Sequence, residues 1–443
     1  MAATLARPVI VVPGITATYL RDEYPLPPET VWSVITKRYE QVSLHPDNTR
    51  LEANQPSRVA PGQVFEVAYK ELIAELRHGL SERRDRPVPV YPFGYDWRQP
   101  LAMIEAQLAA FIDEVIERTK LLRHYDADES FRADPKVNLV GHSMGGLVIA
   151  GCLSRLGPAA RVEKVATLAT PFQGSYEAVI KVITGTSDLG TTAPSSRERE
   201  TARLTPALYH LMPSFEGHLR PTELWDGPLS LFDPGAWQPS VVSTIADFVK
   251  EHGLSRKAPK AQAESLFAGL LAEAANHRRR IDGFELDSVG LAQKDWLCVV
   301  GLDSTTRVQL EITKGQGGAA EFVLSSKDRK NEWTRRPEDG KDPSLTGDGT
   351  VPYRGAVPRF LAERSLVCVT PDDFGYWEIG DSVLTRLAGF HGIMPNMDMI
   401  HRMLIRHFTG RPDKHKNTWG WAAPGVDKGE WDPPLDLGPA KNT

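Results

Sequence analysis

Gly141-His142-Ser143-Met144-Gly145 is the stretch of this 443-residue chain best placed to do chemistry. A G-x-S-x-G pattern alone is weak. Here an apolar run, Val137-Asn138-Leu139-Val140, precedes it and a helical pattern through Leu156 follows. That is the strand–turn–helix context of a nucleophile elbow. Such a turn strains the serine backbone and lifts its Oγ above the sheet, and the flanking glycines keep side chains off the neighbouring strand and helix. A serine hydroxyl is a poor nucleophile near neutral pH, so it needs a base within reach and an acid to orient that base.

Around such an elbow the chain order is Ser, then Asp or Glu, then His. Four histidines follow the last expected sheet strand: His391, His401, His407 and His415. His401 and His407 sit inside the final helical pattern and His415 in the tail. His391 falls in the loop just before that helix, where a base belongs. For the acid, Asp348 in Gly347-Asp348-Gly349-Thr350-Val351-Pro352 leads, because glycines on both sides permit a tight turn. Asp303 is the runner-up, and Asp372 and Asp373 are weaker because they follow the last strand. An oxyanion hole needs two backbone N–H groups aimed at the developing charge. Met144, next to the nucleophile, supplies one. The turn Pro13-Gly14-Ile15-Thr16 supplies the other, from Ile15 or alternatively Thr16. His142 reads as a packing residue whose side chain points away from Ser143.

The elements that must hold these residues alternate. Short apolar runs at 8–12, 88–91, 137–140, 162–168, 296–301 and 366–369 read as strands, and apolar residues at helical spacing fill 61–80, 101–116 and 399–408. Strands alternating with amphipathic helices predict a mostly parallel sheet covered on both faces. The stretch 19–50 has no steady periodicity and reads as a lid-like loop. The alternation pauses over 176–290, which reads as a mainly helical cap, with a small, polar, lid-like segment at 184–197. Residues 308–324 read as a hairpin within an insertion over 302–346, and the tail from 411 reads as irregular surface packing. The expected division is a core over 1–175, a cap over 176–290, a second core part over 291–410 and a tail over 411–443.

Composition narrows the class. A net charge of −5 argues against nucleic acid as a partner, because phosphate binding needs a basic surface. No apolar run is long enough to span a bilayer. Cys152, Cys298 and Cys368 are far apart and show no metal spacing, so neither a disulfide framework nor a metal site is expected. Residues 1–12 do not form a signal peptide, which reads as a cytoplasmic protein.

Several of these motifs together resemble one family. Val11-Val12-Pro13-Gly14-Ile15, Tyr95-Asp96-Trp97-Arg98, the serine motif, Gly347–Pro352, and His391 with Asn396 occur in the order seen in the lecithin:cholesterol acyltransferase family. Lysosomal phospholipase A2 and the phospholipid:diacylglycerol acyltransferases belong to it. Ala169–Ser175 and Leu211-Met212-Pro213-Ser214 are similar to further landmarks, so the resemblance runs from about 8 to 410. It implies an α/β-hydrolase fold with a cap and a lid, and ester hydrolysis or acyl transfer on lipids. It also implies Ser143, Asp348 and His391 as the triad, Ile15 and Met144 as oxyanion donors, and Trp32 where the family has a lid tryptophan. The secretion signal, glycosylation sites, lid disulfide and membrane anchor of its better-known members are not seen. Asp96 and Arg98 read as a structural ion pair.

The expected protein is therefore a serine hydrolase of carboxylic esters, lipase- or phospholipase-like, using no cofactor. Its expected partners are an acyl ester or lipid substrate and, transiently, a membrane surface. Leu231, Phe232 and Trp237 are the expected lining of an acyl channel. The alternatives are an acyltransferase with an alcohol acceptor, or an inactive hydrolase fold used as a binding module.

Overall fold

A computed structural model describes residues 5–185, 196–255, 257–334, 342–375 and 389–437. Its centre is a six-stranded sheet of β1 (Val9–Val12), β2 (Val90–Pro92), β3 (Val137–His142), β4 (Val162–Leu168), β5 (Trp296–Gly301) and β6 (Val367–Val369). The order is β6-β5-β4-β3-β1-β2, and every pairing is parallel. The strands read as unbroken apolar runs because both of their faces are buried. In β1, Ile10 and Val12 join the core on one face while Val9 and Val11 join the core on the other.

Helices Leu101–Lys120 and Met144–Leu156 cover the first face, and helices Glu66–Leu80 and Asp398–Thr409 cover the second. In Glu66–Leu80 the buried residues are Tyr69, Leu72, Ile73, Leu76 and Leu80, one stripe at helical spacing. This helix starts later than its sequence pattern suggests, because Val59–Val64 is a strand.

That strand pairs into the 19–50 region, whose sequence reads as a loop. Thr18–Asp22 pairs antiparallel with both Glu29–Trp32 and Val59–Val64, and Leu44–His45 pairs with Asn48–Glu52. Register shifts interrupt all three pairings, and Pro27 and Pro28 occupy the first turn. Bulges of this kind erase the two-residue alternation that reveals a strand. The region is tied to the core by Arg98, whose buried guanidinium holds both oxygens of Asp96, Glu52 and the Val42 carbonyl.

The cap contains helices Tyr176–Thr184, Ser196–Leu204, Pro206–His210, Pro239–His252 and Pro259–Asp282. Three of them open on proline, whose fixed φ and missing N–H suit a first helical turn. The hairpin Leu310–Lys314 and Ala320–Val323 forms as expected. It is not a separate insertion, however: Leu310–Lys314 pairs in parallel with Leu219–Pro221, and Leu310, Ile312 and Phe322 enter the cap's core. Two distant chain segments therefore build one cap. Most of the 184–197 segment lies outside the described residues.

The tail packs on the sheet edge. Cys368 and Trp421 exchange two backbone hydrogen bonds. The indoles of Trp419 and Trp421 both donate to Asp373, and that of Trp431 donates to the Leu366 carbonyl. Among the described residues no helix is long and apolar enough to cross a membrane.

Candidate active site

Ser143 sits where β3 passes into helix Met144–Leu156, with φ 53° and ψ −128°. A positive φ is strained for any residue with a Cβ, and such strain survives only where the surroundings enforce it. Here they do, because the helix that follows the serine is pressed against the end of β1. A Cβ on Gly145 would stand 2.2 Å from the Val12 carbonyl oxygen. A Cβ on Gly14 would stand 3.0 Å from that of Ser143, so the turn after β1 lies directly beside the serine.

The structure brings Ser143, His391 and Asp348 together from three distant parts of the chain. His391 Nε2 is 2.9 Å from Ser143 Oγ, and its Nδ1 is 2.7 Å from Asp348 Oδ2. Asp348 Oδ1 accepts from the backbone N–H groups of Thr350 at 2.9 Å and Val351 at 2.7 Å. All three side chains are buried. His391 lies in a short helical segment, 389–393, rather than in a loop. The other candidate acids are engaged elsewhere. Asp303 accepts from Asn331, and Asp373 is held by Trp419, Trp421 and Thr370.

Two backbone donors flank the serine. Met144 is the first residue of its helix, where an N–H has no intrahelical acceptor. Ile15 lies in a turn closed by Ala17 N–H on the Gly14 carbonyl at 3.4 Å. Neither the Ile15 nor the Met144 N–H has a hydrogen-bond acceptor among the described residues. Free N–H groups beside a nucleophile can bind an oxyanion.

Trp32 is buried beside this turn rather than spread over the site as a lid. Its indole N–H donates to the Thr16 carbonyl at 3.0 Å, its ring packs on Trp97, and Lys37 Nζ stands 3.9 Å from the ring centroid. Leu231, Phe232 and Trp237 pack in the cap's own core. The 3-10 turn Pro234–Ala236 folds this segment back so that the Trp237 indole donates to the Leu231 carbonyl and meets the edges of Phe267 and Phe322.

His142 is more than the packing residue its position suggests. Its Nε2 is 2.9 Å from the His391 carbonyl oxygen and its Nδ1 is 2.8 Å from the Tyr69 hydroxyl. Burial, with the neighbouring His391, holds its pKa down at about 3, so the ring is neutral. Tyr69 gave no sequence signal, because an aromatic on the apolar stripe of a helix reads as core.

Residues 60–243 match the family model described as Lecithin:cholesterol acyltransferase. Over that stretch the chain is similar to this family. The lecithin:cholesterol acyltransferase match includes Ser143, Met144 and His142, while Ile15, Asp348 and His391 lie outside it. A search of curated proteins finds no match. Among solved structures, one described as "The crystal structure of Tle4-Tli4 complex" matches with a TM-score of 0.53 at 16% identity, covering 80% of this chain and 89% of that one. At that identity the likeness speaks for the fold, a capped α/β-hydrolase. The family supports ester-acting chemistry, by acyl hydrolysis or acyl transfer.

Proposed function

We propose that this protein is a serine hydrolase of carboxylic esters working through an acyl-enzyme. Ser143 Oγ attacks the ester carbonyl while His391 Nε2 takes its proton. Asp348 keeps the imidazole in the Nδ1–H tautomer and stabilises the imidazolium. The N–H groups of Ile15 and Met144 hold the oxyanion of the tetrahedral intermediate. His391 then protonates the leaving alcohol, and water, activated by the same base, releases the acid. The observation that carries this reading is the unbroken hydrogen-bonded line from Ser143 Oγ through His391 to Asp348, at 2.9 and 2.7 Å.

The family match favours a second reading, in which an alcohol replaces water as acceptor. It uses the same residues and differs only in the last step. An inactive binding module has no need of so complete an arrangement. An acyl ester of a lipid is the substrate class the family supports, and transient contact with a membrane surface and a cytoplasmic location belong to the same reading.

Ser143→Ala tests it. Turnover of p-nitrophenyl butyrate and labelling by a fluorophosphonate probe should both vanish, with a loss on the order of 10⁶ in turnover and an unchanged melting temperature. A purified Ser143→Ala protein retaining more than a small fraction of wild-type turnover would assign the chemistry elsewhere.

A further inference from the structure

The oxyanion turn is held at several points. Pro13 C=O and Gly14 N–H belong to one peptide plane, and a buried tyrosine grips each end of it. The Tyr95 hydroxyl donates to the Pro13 carbonyl at 2.7 Å, and the Gly14 N–H donates to the Tyr69 hydroxyl oxygen at 2.9 Å. The next plane carries the Gly14 carbonyl and the Ile15 N–H, and its direction is set by Ala17 N–H on that carbonyl. Trp32 fixes the Thr16 carbonyl beyond it.

From Tyr69 the hydrogen bonds run on to the base. A backbone carbonyl can only accept, so His142 Nε2 must carry the proton it gives to the His391 carbonyl. In the neutral ring Nδ1 is then the acceptor, and the Tyr69 hydroxyl must donate to it. That leaves the Tyr69 oxygen lone pairs to receive Gly14 N–H. Each donor and acceptor role is fixed, and the line runs Gly14 N–H to Tyr69 to His142 to the backbone of His391.

We infer that Tyr69 and His142 are positioning residues that lock the oxyanion turn to the backbone of the base, holding Ile15 N–H and His391 at one spacing. This rests on the reading of Ser143, His391 and Asp348 as the triad. Neither residue touches the reacting atoms. A protonated His142 would carry two donors, would turn a donor toward the Tyr69 hydroxyl, and would put a charge in a ring centred 5.2 Å from that of His391. The burial that keeps the ring neutral is therefore part of the device.

Tyr69→Phe keeps the ring and removes the link. Gly14 N–H loses its buried acceptor and His142 its donor, so the turn keeps its Tyr95, Ala17 and Trp32 contacts but loses its tie to the base and can shift relative to it. Misplacement by about 1 Å can cost about 10²-fold, and loss of one oxyanion donor about 10² to 10³. The expected result is a fall of about 10- to 100-fold in kcat for p-nitrophenyl butyrate and in the fluorophosphonate labelling rate, with KM within about twofold. Tyr125→Phe is the control. Tyr125 is equally buried, and its hydroxyl donates to the Ala6 carbonyl at 2.7 Å, outside the site. It should lower the melting temperature and leave kcat per folded molecule intact.

A Tyr69→Phe protein with kcat within twofold of wild type, or one that behaves like Tyr125→Phe, overturns the inference while Ser143→Ala still abolishes turnover. If Ser143→Ala stays active, the underlying triad reading fails first. Should Tyr69→Phe not fold, His142→Gln and His142→Leu decide. Glutamine can still donate to the His391 carbonyl and leucine cannot, so kcat should fall about tenfold or more further in the leucine protein. Equal kcat in the two overturns the inference.

Discussion

Asp348→Asn is an almost isosteric change whose effect follows from which atoms already occupy Asp348 Oδ1. Two backbone N–H groups, from Thr350 and Val351, donate to that oxygen. An asparagine must keep its only amide oxygen there, and so turns its NH₂ toward His391 Nδ1. Nδ1 then has to be the acceptor, which moves the ring proton to Nε2 and points it at Ser143. That tautomer cannot take the serine proton. The flipped amide restores the productive tautomer but sets its NH₂ against the two backbone donors. Leaving two buried donors unpaired costs about 2–6 kcal/mol, which makes the productive form about 30- to 10⁴-fold rarer. We expect kcat to fall by a factor in that range, with KM and melting temperature little changed, because the fold loses no volume. Asp303→Asn should change kcat far less, since its carboxylate faces Asn331. The assay is steady-state ester hydrolysis on enzyme whose folded fraction has been measured. A Asp348→Asn enzyme within about fivefold of wild type, or a larger loss in Asp303→Asn, would refute the reasoning.

Two other outcomes follow from packing and titration. Gly145→Ala would place a methyl 2.2 Å from the Val12 carbonyl oxygen, so the nucleophile helix must back away from β1 by about 1 Å, with about 10²-fold lost in kcat and about 1–3 kcal/mol in denaturant stability; an unchanged kcat would show that the elbow relaxes without moving Ser143. Burial holds His142 and His407 at about 3, below the 6.5 of an unfolded chain, so between those values the unfolded state binds more protons and stability falls as pH falls. At pH 5 each costs about 2 kcal/mol relative to pH 8, and a urea midpoint that failed to drop over that range would contradict the buried neutral rings.

What the sequence revealed tracks the range of the physics involved. The elbow was legible because the strand, the glycines and the helix that strain Ser143 are contiguous. Asp348 was legible because its own glycines make its turn. β4 matched its expected bounds because a strand buried on both faces carries the signal in every residue. The antiparallel region around Trp32 was not legible, since bulges break its alternation. Nor was the fate of the 310–323 hairpin, whose parallel partner at Leu219–Pro221 lies about ninety residues away and leaves no local mark. Trp237 shows the same limit. An aromatic in a cap reads equally well as channel lining or as core, and only the Leu231 carbonyl, Phe267 and Phe322 decide its surroundings. Tyr69 and His142 are meaningful only as a pair, and they come from different elements.

The tail's attachment bears on how the molecule behaves in a crowded solution. β6 ends the sheet, and its Val367-Cys368-Val369 backbone is short, apolar and untwisted by any bulge. A bare edge of this kind is a template onto which a strand from another molecule can add. Trp421 occupies it with two main-chain hydrogen bonds, and the Asp373 clamp on two indoles keeps it there. Undoing the clamp would leave the triad's own contacts in place. Its first symptom would be concentration-dependent self-association, visible in light scattering while turnover per monomer stayed constant. Asp373, set aside as a weak candidate for the acid, would on this account matter for solubility rather than for turnover.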